Sequence, residues 1–341
     1  MQDTKVIIME NIYILQITWF FIIGFLLAGY SVLDGFDLGI GSLLPFLSDD
    51  EASTGRILET IAPVWDGNEV WLITAGAALF ASFPDTYATV FSGFYLALMI
   101  VVFALIFRAV SIEFWFMDTG NRRIWKTAFI AGSFLPSLLF GVAMGNLIIG
   151  IPMDSSMNFT GSFLTLLRPF PISTGLLGLG AIMMQGAAYT LMKNDGLIRE
   201  KCRYVIKKVW LYYVLSYILS MIFTFVYMPY LMRNSIAWLA SILFVISVIL
   251  IKFSINRNKY RSGFIMSSIS FICLWLIAAA VQFPVLVRSI NDKGIDLTIY
   301  NTSSGGLTLK IMLIIALLGM PLVIGYTIYV YKIFSKRAEE K

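Results

Sequence analysis

RILETIAPVWDGNEVWLITAGAALFASF, Arg56 to Phe83, is the stretch whose reading decides the fold. Its second half is apolar enough to enter a bilayer, yet Glu59, Asp66 and Glu69 stand in its first half. A carboxylate in hydrocarbon is costly and is tolerated only where protein or water surrounds it, so the segment reads as a membrane helix buried among others. The rest of the chain agrees: of 341 residues, 59% are apolar, 15% aromatic and 13% charged, where a soluble globular chain has roughly 25% charged. A spanning helix takes roughly 20 apolar residues. Windows of about 19 residues without charge predict nine spans, near 13–33, 57–83, 86–107, 127–150, 172–192, 209–230, 236–251, 264–287 and 307–331. An ordinary cytosolic enzyme and a disordered tail are excluded.

Nine spans put the termini on opposite sides, and the basic residues test that count. Nineteen Lys and Arg fall on one face, from Arg56 through the Lys193–Lys208 stretch to Lys341, against six on the other: Lys5, Arg168, Arg233, Arg288, Lys293 and Lys310. Cytoplasmic loops hold most of the basic residues, which predicts an outside amino terminus and a cytoplasmic carboxyl terminus. The net charge of +5 therefore belongs to membrane topology, and no nucleic-acid partner is expected. The amino-terminal run is too long for a signal h-region and reads as a true span. Residues 1–341 are expected to form one integral membrane domain, with a seam at the basic stretch dividing halves 1–192 (five spans) and 193–341 (four).

Two absences narrow the chemistry. The chain has no histidine, and its two cysteines, Cys202 and Cys273, stand in no metal-binding spacing; histidine is the usual haem, copper and non-haem iron ligand. No metal or cofactor is expected on this chain itself, and its sixteen methionines read as packing and lipid-facing side chains.

The candidate site residues are the acids placed inside spans. On one continuous helix, Asp66 and Glu69 would lie roughly 15 and 20 Å inward from Arg56, with Glu59 about 20° and Glu69 about 60° from Asp66 around the axis. Trp65, Asn68 and Trp71 crowd the same turn, and Pro63 frees the carbonyl of Glu59. Such a stripe reads as a route for protons; the plainer alternative is a structural hydrogen bond to a neighbouring span. Asp34 and Asp37, three apart at the end of the first span, are either the entry of that route or interfacial acids at a helix end. Arg108, closing the third span, is either a snorkelling anchor or the counter-charge for Asp34, Asp37 or Glu113. Gly35, Gly39 and Gly41 in the first span, and Gly175, Gly178, Gly180 and Gly186 in the fifth, let other helices come close.

DGFDLGIG (34–41), PVWDGNEVWLITAGAALFASFP (63–84), FSGFYLALMIVVFALIFRAVSIEFW (91–115) and GAIMMQGAAYTLMK (180–193) together resemble subunit II of the cytochrome bd-type quinol oxidases, including their cyanide-insensitive relatives. Beyond about Lys208 the resemblance rests on length and span count, and Trp115 stands where many relatives carry a basic residue. The fold expected is an all-α polytopic membrane protein of about nine transmembrane helices, two four-helix bundles plus a peripheral helix. The resemblance implies a heterodimer in the bacterial plasma membrane whose other member, subunit I, carries haems b558, b595 and d and the quinol-binding loop. The complex would oxidise quinol and reduce dioxygen to water with cytoplasmic protons. A small accessory subunit and membrane lipids are further partners the family allows. Carried over residue by residue, the proton pathway includes Asp66 beside Trp65, while the DGFD acids and the FRAV arginine are Asp34, Asp37 and Arg108. A stand-alone proton-coupled transporter and a purely structural assembly partner are the competing readings.

Overall fold

A computed structural model of the chain describes residues 2–333, with side chains described from Ile12 onward except at position 293. The fold is helical: α1 (Gln2–Leu47), α2 (Glu51–Glu59), α3 (Trp65–Ser82), α4 (Pro84–Gly93), α5 (Tyr95–Met117), α6 (Arg122–Ile149), α7 (Pro169–Lys193), α8 (Gly196–Tyr227), α9 (Ser235–Asn256), α10 (Tyr260–Gln282) and α11 (Gly306–Ile333). Eight of these are long and apolar enough to cross a membrane. α3 makes about nine, its apolarity diluted by the polar first turns of WDGNEVW. One four-helix bundle comprises α1, α3, α5 and α6, and a second α7, α8, α9 and α10. α7 lies between them, with 78% of its most apolar window buried, whereas α11 lies at the edge with 6% buried.

Small residues set the contact between the bundles. A Cβ at Gly39 would stand 2.1 Å from the Ile182 carbonyl oxygen, and one at Gly186 would stand 2.4 Å from the Gly39 carbonyl carbon. The α1 and α7 backbones therefore touch, as packing without a hydrophobic drive between helices favours. Phe36 and Tyr189 stack beside this crossing with ring centroids 4.0 Å apart.

The sixth span begins at Gly196 rather than near 209, and three boundaries in the first bundle move as well. The first span does not end at the DGFD motif: α1 continues to Leu47, because Leu43, Leu44 and Leu47 are fully buried beyond it. The single helix expected over 57–83 is two, α2 and α3, joined by turns over 60–64, where Pro63 has no N–H to give. Asp50 caps α2 by accepting from the Ser53 amide at 2.7 Å. The third span begins later than 86, at Tyr95, because α4 stops at Gly93 and the chain turns at Phe94.

Loops at the end opposite Asp50 interlock. Strands β1 (Val285–Val287) and β2 (Leu297–Thr298) pair antiparallel, and the Ile151 amide donates to the Arg288 carbonyl at 2.9 Å. Phe94, Ile151, Met153, Leu166, Val287 and Leu297 form a small apolar core beneath them.

Candidate functional site

Extending α1 to Leu47 puts Asp34 thirteen residues, about 20 Å, from the helix end, and the continuation of α5 to Met117 puts Arg108 nine residues, about 14 Å, inside its end. Both side chains are fully buried and they meet: Arg108 Nη2 donates to Asp34 Oδ1 at 2.7 Å. The same nitrogen donates to Glu69 Oε1 on α3 at 2.6 Å. α6 lets the α5 backbone approach at Arg108 by offering Gly132, where a Cβ would stand 2.9 Å from both the Cβ and the backbone nitrogen of Arg108.

Asp37, one turn along α1, is also fully buried and takes a different partner. Asn68 Nδ2 donates to Asp37 Oδ2 at 2.8 Å and to the Leu33 carbonyl at 3.1 Å. The Leu33 carbonyl has no proton to give, so it fixes which side of the amide faces α1. Asn68 Oδ1 accepts from the Tyr331 hydroxyl of α11 at 2.9 Å. Tyr30, one turn before Asp34, faces the cluster from the other side. Asp34 Oδ2, Asp37 Oδ1, and Arg108 Nε and Nη1 have no protein partner.

The sequence-derived candidates thus separate. Asp34, Asp37, Glu69 and Arg108 come together, with Glu69 at the edge, its side chain 22% exposed. Asp34 and Asp37 are not interfacial acids, since the helix runs on past them, and Arg108 is no snorkelling anchor, since it lies inside the bundle with no exposure. Of the acids weighed for it, Asp34 is the partner, Glu113 is exposed, and Glu69 was not among them. Asp66 stands in the first turn of α3 on the chain's outer surface, with Trp65 half-buried beside it. Glu59 is exposed at the end of α2. The stripe from Glu59 to Asp66 does not form, because the turns at 60–64 break the helical register between them. Tyr189 reaches that break, its hydroxyl donating to the Thr60 carbonyl at 3.1 Å. Asn68 received no role from sequence reasoning, and Tyr30, Tyr189 and Tyr331 gave no signal above other span tyrosines.

The family model described as cytochrome bd terminal oxidase subunit II matches residues 15–334. The chain belongs to that family. Cytochrome bd-I ubiquinol oxidase subunit 2 of Escherichia coli K12 is 32% identical over 96% of each chain. Cytochrome bd ubiquinol oxidase subunit 2 of Bacillus subtilis 168 is 30% identical, covering 95% of this chain and 96% of that one. In fold, the chain is similar to a chain of bd oxidase from Geobacillus thermodenitrificans, with a TM-score of 0.79, 17% identity, and coverage of 94% of this chain and 98% of that one. The resemblance drawn from the DGFD and WDGN motifs is borne out, as is the helical membrane fold. This bd oxidase subunit II is an integral membrane protein and a member of an oxidoreductase complex. Among the described residues, no three His, Cys, Asp or Glu side chains converge as a metal-ligand set.

Proposed function

We propose that this subunit II is the haem-free member of a quinol-oxidising, dioxygen-reducing heterodimer and carries protons from the cytoplasm toward the haem-bearing subunit I. The observation that carries this reading is the stoichiometry of the buried cluster: three carboxyl groups, Asp34, Asp37 and Glu69, surround one guanidinium, Arg108. Neutralising such a cluster away from water takes protons as well as Arg108. Buried acids that hold protons beside unpartnered oxygens are equipped to pass them on.

Glu69 links inside to outside. It holds Arg108 on one side, and on the other lies one turn from Asp66 on the same helix. A carboxylate on the outer surface of a membrane helix cannot rest in lipid, so Asp66, with Trp65, faces subunit I. The route runs from Asp37 and Asp34 through the Arg108 site to Glu69, and leaves beside Asp66. Glu59, exposed at the end that carries the excess of Lys and Arg, collects protons at the cytoplasmic mouth. The amino terminus is outside and the carboxyl terminus cytoplasmic, in the bacterial plasma membrane.

The residues of this chain do not fit a haem. It has no histidine, and its cysteines are buried, Cys202 donating to the Ala187 carbonyl at 3.3 Å. Haems b558, b595 and d belong to subunit I. Purifying the tagged chain from its native membranes tests the reading: a second membrane subunit and a reduced-minus-oxidised spectrum of haems b and d support it, and a colourless, solitary protein overturns it.

A further inference from the structure

α11 is the least buried of the spanning helices, yet its last turns carry the side chain that closes the acid pair. Tyr331 donates to Asn68 Oδ1 at 2.9 Å, and Asn68 in turn covers Asp37 Oδ2 at 2.8 Å. The Tyr331 ring meets Phe36 edge-on, with centroids 6.4 Å apart, so ring and hydroxyl together cover the turn of α1 that carries Asp37. This chain of bonds does not conduct protons: an amide set between a hydroxyl and a carboxyl group neither takes up nor releases a proton near neutral pH. It insulates Asp37 from the nearby end of the bundle. Tyr331 is only half-buried and a single side-chain hydrogen bond holds it to Asn68, so a swing of this side chain uncovers the amide at the cost of one bond.

We propose that Tyr331, acting through Asn68, is a latch over Asp37: closed, it bars the cytoplasmic side from the acid pair, and release of the Tyr331–Asn68 bond admits protons. Tyr331 is a positioning residue, since it touches Asn68 and not the transferred proton. The groups facing Asp37 are Asp34 and Tyr30 of α1, Glu69 and Asn68 of α3, Arg108 of α5, Tyr189 of α7, with Lys193 over its ring, and Tyr331 of α11. The proposal rests on the proton route described above.

The test is the pH profile of quinol-driven turnover by the intact oxidase carrying Tyr331→Phe, which keeps the ring and removes the bond. A latch held by one hydrogen bond opens about tenfold more often without it. A tenfold gain in access offsets a tenfold fall in proton concentration, so the alkaline limb is expected to move up by about one pH unit. Should that complex lose haem, Asn68→Ser breaks the same bond from the other side and is expected to shift the limb the same way. An alkaline limb that overlays the wild type, beside a defective Asp37→Asn, overturns the latch and leaves the route standing. Wild-type turnover by Asp37→Asn overturns the route, and the latch with it.

Discussion

Nη2 of Arg108 lies 2.7 Å from Asp34 Oδ1 and 2.6 Å from Glu69 Oε1, so α1, α3 and α5 converge on a single nitrogen. Removing that cation leaves buried carboxylates without compensation, a loss of about 3–5 kcal/mol when one member of a buried pair is deleted. Arg108→Met is therefore expected to lower the haem d content of membranes and the melting temperature of whatever complex is recovered. Arg108→Lys should rescue in part, because both carboxylates bond one nitrogen and an ammonium has three protons to donate. Full haem content in Arg108→Met would show that the cluster does not hold the fold.

Helix contact gives a prediction independent of charge. Gly186→Ala forces a methyl group into the α1 backbone, 2.4 Å from the Gly39 carbonyl carbon, while Gly24→Ala meets nothing within 4 Å. The first is expected to destabilise by about 1–3 kcal/mol or more and the second to be neutral. Thermal unfolding of the two purified complexes decides it, and equal melting temperatures would refute the close crossing of α1 and α7.

Beyond the membrane, the Trp125 indole N–H at 3.0 Å and the Asn121 amide hold the Asp118 carboxyl below its usual range. A carboxyl depressed in the folded state contributes stability above its unfolded pKa, near 3.8, and loses it as pH falls through the lower folded value. Titration of Trp125 emission should thus be flat from pH 7 to 5 and change only below about pH 4. In Asp118→Ala the acid transition should be absent; if it persists, another group is responsible.

The fold was legible because apolar runs of spanning length dominate the chain and the Lys and Arg bias counts them. The errors have physical causes. Asp34 and Asp37 end the uncharged window and so mark the close of a span by composition, but both carboxyls lie inside the bundle and α1 runs on past them to Leu47. The turn at Phe94 carries no proline, so an uncharged window ran across it and pushed Arg108 to a helix end. Pro63 does more than free one carbonyl: the turns around it separate Glu59 from Asp66 altogether. Spacing along one helix brings out Asp66, whereas the pairing of Arg108 with Glu69, 39 residues away, exists only in three dimensions. Tyr331, 263 residues from Asn68, was out of reach for the same reason.

Asp66→Asn separates a proton role from a packing role, since the amide keeps the size of a side chain that lies on the chain's surface. Quinol-driven oxygen consumption is expected to fall several-fold with haem content retained, while Glu113→Gln, an exposed acid near the end of α5, serves as the unaffected comparison. Equal turnover in both variants would place Asp66 outside the pathway.

Glu69 is the one side chain that belongs both to the buried cluster and to the outer face of α3, so its variant tests the proposed pathway most directly. The measurement is quinol-driven oxygen consumption by the purified complex carrying Glu69→Gln, alongside its reduced-minus-oxidised haem spectrum. A pathway through Glu69 requires turnover to drop about tenfold or more with the haem spectrum unchanged. Wild-type turnover with a full complement of haem would contradict it.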